Sequence, residues 1–185
     1  MDIDYIRFVE DENYVDPAEA PFALANPDAE ENRVTFSDTR GTMKIVEDPD
    51  RAGNHCYLVT CDDIQIWLYS RQGCVFKPGA SYKVSMEVRL YGHGTNTALA
   101  PDFKAHFLPN MQYVDPVSGK NDHVIKDFPI KAGDGWTKIE FEFTVPKESQ
   151  SRSADVFSFY TNPIADVGVG YYFDNIVVEE TLPTE

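Results

Sequence analysis

From Val34 onward the apolar residues come in short runs, and within a run they fall on every second position. In TKIEFEFTV (137–145) the alternation sends Ile139, Phe141, Phe143 and Val145 to one side and Lys138, Glu140 and Glu142 to the other. DFKAHFLP (102–109) puts Phe103, Ala105 and Phe107 inward against Lys104 and His106, and DVFSFYTN (155–162) pairs Phe157 with Phe159. The runs are separated by turn chemistry at close intervals: DTRG, EDPDRAGN, RQG, KPGAS, YGHGTN, DPVSGKND, KAGDG and TNPIAD. No window of helical length carries an i, i+3, i+4 apolar stripe. The pattern therefore predicts an all-β domain, a sandwich or a barrel, spanning 34–180.

The outward positions differ between runs. In DIQIWLYS (63–70) Ile64, Ile66 and Leu68 take the core side, which leaves Gln65, Trp67 and Tyr69 facing out. DVFSFYTN leaves Ser158, Tyr160 and Asn162 out. Two outer faces thus combine aromatic rings with small polar groups, whereas TKIEFEFTV carries ordinary charge. A flat ring flanked by amide and hydroxyl groups suits a sugar, whose axial C–H face stacks while its equatorial hydroxyls hydrogen-bond. One pyranose face of roughly 50–80 Å² is worth about 1–2 kcal/mol. The plainer reading of each ring is packing beneath a loop or beneath the N-terminal arm.

Length and charge narrow the picture. The chain has 185 residues, of which 42% are hydrophobic, enough for one core and too few for two comfortable domains. Against 31 acidic residues stand 16 basic ones, a net charge of −15, so a nucleic acid or an anionic membrane would be repelled. Residues 1–33 are acidic and contain Pro17, Pro21 and Pro27, which predicts an extended arm with room for one strand at IRFV (6–9). Residues 181–185 form a tail. No run approaches the ~18 apolar residues of a spanning helix, and the first residues lack the basic and apolar regions of a signal peptide. Cys56, Cys61 and Cys74 fit no zinc spacing and allow at most one disulfide, a buried thiol being the default.

Four segments in order, MKIVEDPDRAGNHCYLVT, FKPGASYKVSMEVRLYG, GDGWTKIEFEFTVP and GYYFDNIVVEE, resemble the jelly-roll carbohydrate-binding modules attached to xylanases and related glycoside hydrolases, most closely the xylan-binding kind. The resemblance covers about 34–180, and the family's opening Asn-x-x-Phe-Glu segment is not clearly present. It implies a two-sheet antiparallel β-sandwich and a non-catalytic module that holds a plant cell-wall β-glycan, xylan or β-glucan. Such a module would be secreted, monomeric and joined to a catalytic module. For the glycan it implies Arg40, the platform Trp67, Tyr113 in a long mid-chain connection, and Tyr160. Where the xylan binders carry a glutamate two residues beyond that tyrosine, this chain has Asn162. Gln65 and Tyr69 join the set from the alternation.

Asp174 matches the family's ligand of a structural calcium that ties the last strand to the N-terminal segment. Glu10, Glu30 and Glu31 are all open as the second carboxylate. The competing reading makes Asp174 a turn cap or the partner of a lysine. Trp136 reads as a packing residue, and Glu87 with Arg89 as a solvated pair or as hydrogen-bonding groups in the cleft. The rival functions are a jelly-roll glycosidase or lyase, which needs two carboxylates across the cleft, and a structural or adhesive sandwich that binds no sugar.

Overall fold

The computed structural model describes residues 22–34, 36–40, 42–60, 67–70, 76–94, 96–114, 117–118, 121–148, 157–161 and 168–181; at 37–40, 67–70, 113–114, 121–123 and 157–161 it describes the backbone. Among them β2 (Thr42–Glu47), β3 (His55–Thr60), β5 (Ser81–His93), β9 (Thr137–Thr144) and β11 (Val169–Thr181) form one antiparallel sheet in the order β2-β3-β11-β5-β9. The second sheet holds β1 (Phe36–Arg40), β4 (Trp67–Ser70), β6 (Lys104–Val114), β7 (Asn121–Ile125), β8 (Phe128–Lys131) and β10 (Phe157–Thr161). Its order is β1-β4-β10-β6-β7, with β8 also paired to β6. The chain is the two-sheet antiparallel β-sandwich that the alternation and the resemblance predict.

The core follows the period of two. On β9 Ile139, Phe141 and Phe143 are buried between exposed Lys138, Glu140 and Glu142, and on β5 Tyr82, Val84, Met86, Val88 and Leu90 are buried in alternation. Rings join the two sheets. Phe36 meets Phe173 edge-on at 5.9 Å, and Phe107 meets Tyr171 at 5.4 Å. Phe103 is half-buried and packs against this core, while Phe157 and Phe159 lie on β10, described by its backbone.

Part of the acidic arm belongs to this packing. Phe22 stacks on Phe76 at 4.7 Å, Ala29 is buried in the core, and the Tyr57 hydroxyl donates to the Asn26 carbonyl at 2.7 Å. The amide of Ile176 donates to the Pro27 carbonyl at 3.0 Å, so residues 22–33 are pinned to the last strand. The IRFV segment lies outside the described residues.

One connection is a strand. The resemblance implies a long mid-chain connection at Tyr113, yet β6 continues to Val114. Pro109 stands where β6 passes from pairing with β8 at Lys104–Phe107 to pairing with β7 at Asn110–Val114. A proline is tolerated at such a break in the ladder.

Candidate functional site

On the six-stranded sheet the backbone register brings three of the expected residues into one row. Arg40 is paired with Trp67, Trp67 with Tyr160, and Tyr160 with Leu108, across β1, β4, β10 and β6. The next row runs Ser37, Tyr69, Ser158, Asn110 and Ile125. On β6 these rows pass through Leu108 and Asn110, which alternate with the buried Phe107, Pro109 and Met111. The rows therefore lie on the face turned from the core. Asn110 is nevertheless fully buried there, an amide that the sequence reading did not single out. Tyr113, paired with Asp122, has the register parity of Phe107 and Met111, out of step with the Trp67–Tyr160 row. Gln65 and Asn162 lie outside the described residues.

The outer face of the five-stranded sheet is different. Asp174 of β11 stands directly opposite Glu87 of β5. Like charges in that position repel and need a counter-ion. It comes from the EDPDRAGN turn. Arg51 donates through Nη2 to Asp174 Oδ2 at 3.0 Å, through Nη1 to Glu87 Oε2 at 2.6 Å, and through Nε to Asp48 Oδ2. Its guanidinium lies 4.6 Å from the centre of the Trp136 ring, whose Nε1 donates to Asp48 Oδ1 at 3.2 Å. Trp136 thus packs, as expected, and Glu87 belongs to this cluster rather than to a cleft. Arg89 pairs with Asp50 at 3.3 Å.

Asp48 and Asp174 are fully buried side chains. Burial pushes the Asp174 carboxyl above its ordinary value, and the hydrogen bonds from Asn54 and the Asn175 amide offset only part of that. For Asp48 the opposing burial is outweighed by donors from Asp50, Arg51, Trp136 and Asn54, so its pKa lies below the ordinary value. Glu87 also lies low, because Asn175 and Arg51 outweigh its burial. Burial likewise pushes the Cys56 thiol up to about 12, which leaves it an inert core thiol.

A calcium ion does not fit Asp174. Its Oδ2 accepts from Arg51 at 3.0 Å, from Asn54 at 3.0 Å and from the Asn175 side chain at 3.3 Å, and its Oδ1 accepts from the Asn175 amide at 2.8 Å. The lone pairs that a hard cation needs are taken by N–H donors. Nor does the N-terminal segment supply a second ligand among the described residues. Glu30 binds His55, through the amide at 2.8 Å and Nδ1 at 3.2 Å, and Glu31 lies 3.9 Å from Arg33. Glu10 is outside the described residues. Among the described residues no group of three or more His, Cys, Asp or Glu is placed to hold a metal ion.

Beside this cluster, Arg89, Tyr91 and Tyr172 line a groove of about 480 Å³ walled by Pro49, Leu99 and Ala132. Tyr91 and Tyr172 meet edge-on at 5.3 Å, and the Arg89 guanidinium lies 5.8 Å from the Tyr172 ring centre. Alternation on YKVSMEVRLYG and GYYFDN could have found this face, but β5 and β11 must be paired before its residues are neighbours.

The fold is a two-sheet antiparallel jelly roll, and solved structures share it. The similar solved structures include the N-terminal CBM22-1–GH10 modules of endo-1,4-β-D-xylanase 10B from Clostridium thermocellum, complexed with xylohexaose, at 18% identity over 83% of this chain and a TM-score of 0.59. They also include the second family-22 xylan-binding domain of Xyn10C from Paenibacillus barcinonensis, at 12% identity, 84% coverage and a TM-score of 0.59. This chain covers 27% of the former and 98% of the latter. The enzymatically active domain of tailspike protein 4 from bacteriophage CBA120 is similar too, at 12% identity, 86% of this chain, 21% of that one and a TM-score of 0.57. At these identities the likeness is one of fold. No protein-family model and no curated protein matches the sequence.

Proposed function

We propose that the chain is a non-catalytic carbohydrate-binding module whose six-stranded sheet holds a β-glycan with equatorial hydroxyls, xylan or β-glucan. The observation that carries this reading is the register row Arg40–Trp67–Tyr160, which sets two aromatic residues and an arginine side by side on three adjacent strands. Two stacking platforms at about 1–2 kcal/mol each, reduced by the cost of association, give affinities in the roughly micromolar to millimolar range. Weak contacts of that size suit a repetitive polymer, and the module would bring a joined, secreted glycoside hydrolase to it. The xylan-binding names of the fold neighbours support the ligand class, and the glutamate-to-Asn162 change leaves β-glucan beside xylan as the ligand to test.

A second placement rests on the groove at Tyr91, Tyr172 and Arg89, which also joins rings to a hydrogen-bond donor. Affinity electrophoresis through gels containing soluble xylan or mixed-linkage β-glucan separates the two. Retardation abolished in Trp67→Ala and kept in Tyr172→Ala supports the six-stranded sheet; the reverse moves the site to the groove. Retardation by neither polymer overturns the glycan reading. Release of reducing ends above a boiled control would make the chain an enzyme.

A further inference from the structure

The resemblance implies a metal ligand at the aspartate of the last strand; here Asp174 accepts from a side chain instead. Three carboxylates from separate parts of the sequence, Asp48 before β3, Glu87 on β5 and Asp174 on β11, converge on the one guanidinium of Arg51. Glu87 and Asp174 face each other across the strand pair, so the sheet cannot hold both as anions without a cation between them. Neutral donors add to this pairing: Asn54 and Asn175 on Asp174, Asn175 on Glu87 Oε2 at 2.8 Å, and Trp136 on Asp48. The Trp136 ring lies against the guanidinium, a contact that suits a planar delocalised cation better than a hydrated metal ion.

We infer that Arg51 is the built-in cation of this sandwich, standing where the resemblance implies a structural calcium, so that the fold requires no divalent metal. The geometry also moves the tie. The cluster fastens the 48–54 turn to β5, β11 and the start of β9, while the N-terminal segment is held separately by Pro27 on Ile176 and by Glu30 on His55. A guanidinium fits this place because its forked donors reach three carboxylates in different directions at once. Lysine would supply the charge without the fork.

Thermal melting of the full chain, stripped with EDTA and then returned to calcium, tests the inference. The wild-type melting temperature should be the same in both. Arg51→Ala leaves two buried carboxylates uncompensated and should melt roughly 6–20 °C lower. Millimolar calcium should then recover part of that loss, because three carboxylates surround the space the side chain vacated. Arg51→Lys should fall between the two. A wild-type melting temperature that drops in EDTA and returns with calcium overturns the inference. So does an Arg51→Ala loss that calcium leaves untouched, which is the result a purely packing role would give. If Arg51→Ala does not fold, the wild-type comparison and Arg51→Lys decide the matter.

Discussion

The two sheets carry polar residues on their outer faces for opposite ends. On the five-stranded sheet the polar groups answer one another: Asp174, Glu87 and Asp48 all pair with Arg51, and Asp174 also accepts from the Asn175 amide. On the six-stranded sheet the backbone register assembles Arg40, Trp67 and Tyr160 in a row. A saturated face adds rigidity and offers little to a ligand. Aromatic residues and an arginine in one register row, on the face turned from the core, are what the proposed glycan site requires. On the proposed reading the stabilising network lies on one sheet and the glycan contacts on the other, and variants on the two should show different signatures.

The largest effect should come from the layer the sheets share. Phe173 is fully buried, stacked on Tyr57 at 5.1 Å and edge-on to Phe36 of the other sheet. Phe173→Ala should cost about 3–5 kcal/mol in urea unfolding and weaken both faces together. Retained stability would mean that the sheets are not joined there.

Next in size is the platform. Trp67→Ala should cost about 1–3 kcal/mol of polysaccharide affinity and leave the urea midpoint nearly unchanged. Unfolding of the variant, with binding per folded molecule intact, would reverse the assignment of faces. Tyr172→Ala is the converse probe. Its ring contacts Tyr91 and Trp136, so the variant should lose roughly 1 kcal/mol of stability and no affinity for xylan. A loss of affinity without a loss of stability would place the glycan on the five-stranded sheet.

The fold was legible in the sequence where one face of a strand is wet. TKIEFEFTV alternates without a break, and the burial of β9 follows it residue by residue. The platform row was legible in its members, Trp67 and Tyr160, but not in its geometry, since strand order is set by pairings more than ninety residues apart in sequence. Two features stayed hidden for physical reasons. Asn26, Ala29 and Glu30 have the spacing of the family's Asn-x-x-Phe-Glu opening, with alanine in the aromatic place, and a buried alanine leaves no hydrophobic signature. Arg51 lies in a turn, where an arginine is ordinarily solvated, and only the pairing of β5 with β11 creates the double negative charge it neutralises. Asp174 gave the hint: a carboxylate inside an aromatic strand needs a partner, and in the fold it accepts from Arg51.

The smallest effect is a slope. Asp48 and Glu87 titrate below their ordinary values of 3.8 and 4.5, so they bind protons less readily folded than unfolded. The stability they supply is full above about pH 5 and is lost as the pH falls through their lowered folded values. Asp174 is shifted up from 3.8, so its term has the other sign: stability declines as the pH rises from 3.8 to its higher folded value. In the wild-type chain the two trends partly cancel. Asp174→Asn removes the opposing titration and also the negative charge facing Glu87, which lets Glu87 ionise still more readily. The variant is expected to be less stable at neutral pH, because Arg51 loses a charged acceptor, but its urea midpoint should climb more steeply between about pH 3 and pH 5 than that of the wild type. Parallel profiles would show that Asp174 keeps its proton, or its charge, equally in both states, and the saturated face would then owe its acid sensitivity to Asp48 and Glu87 alone.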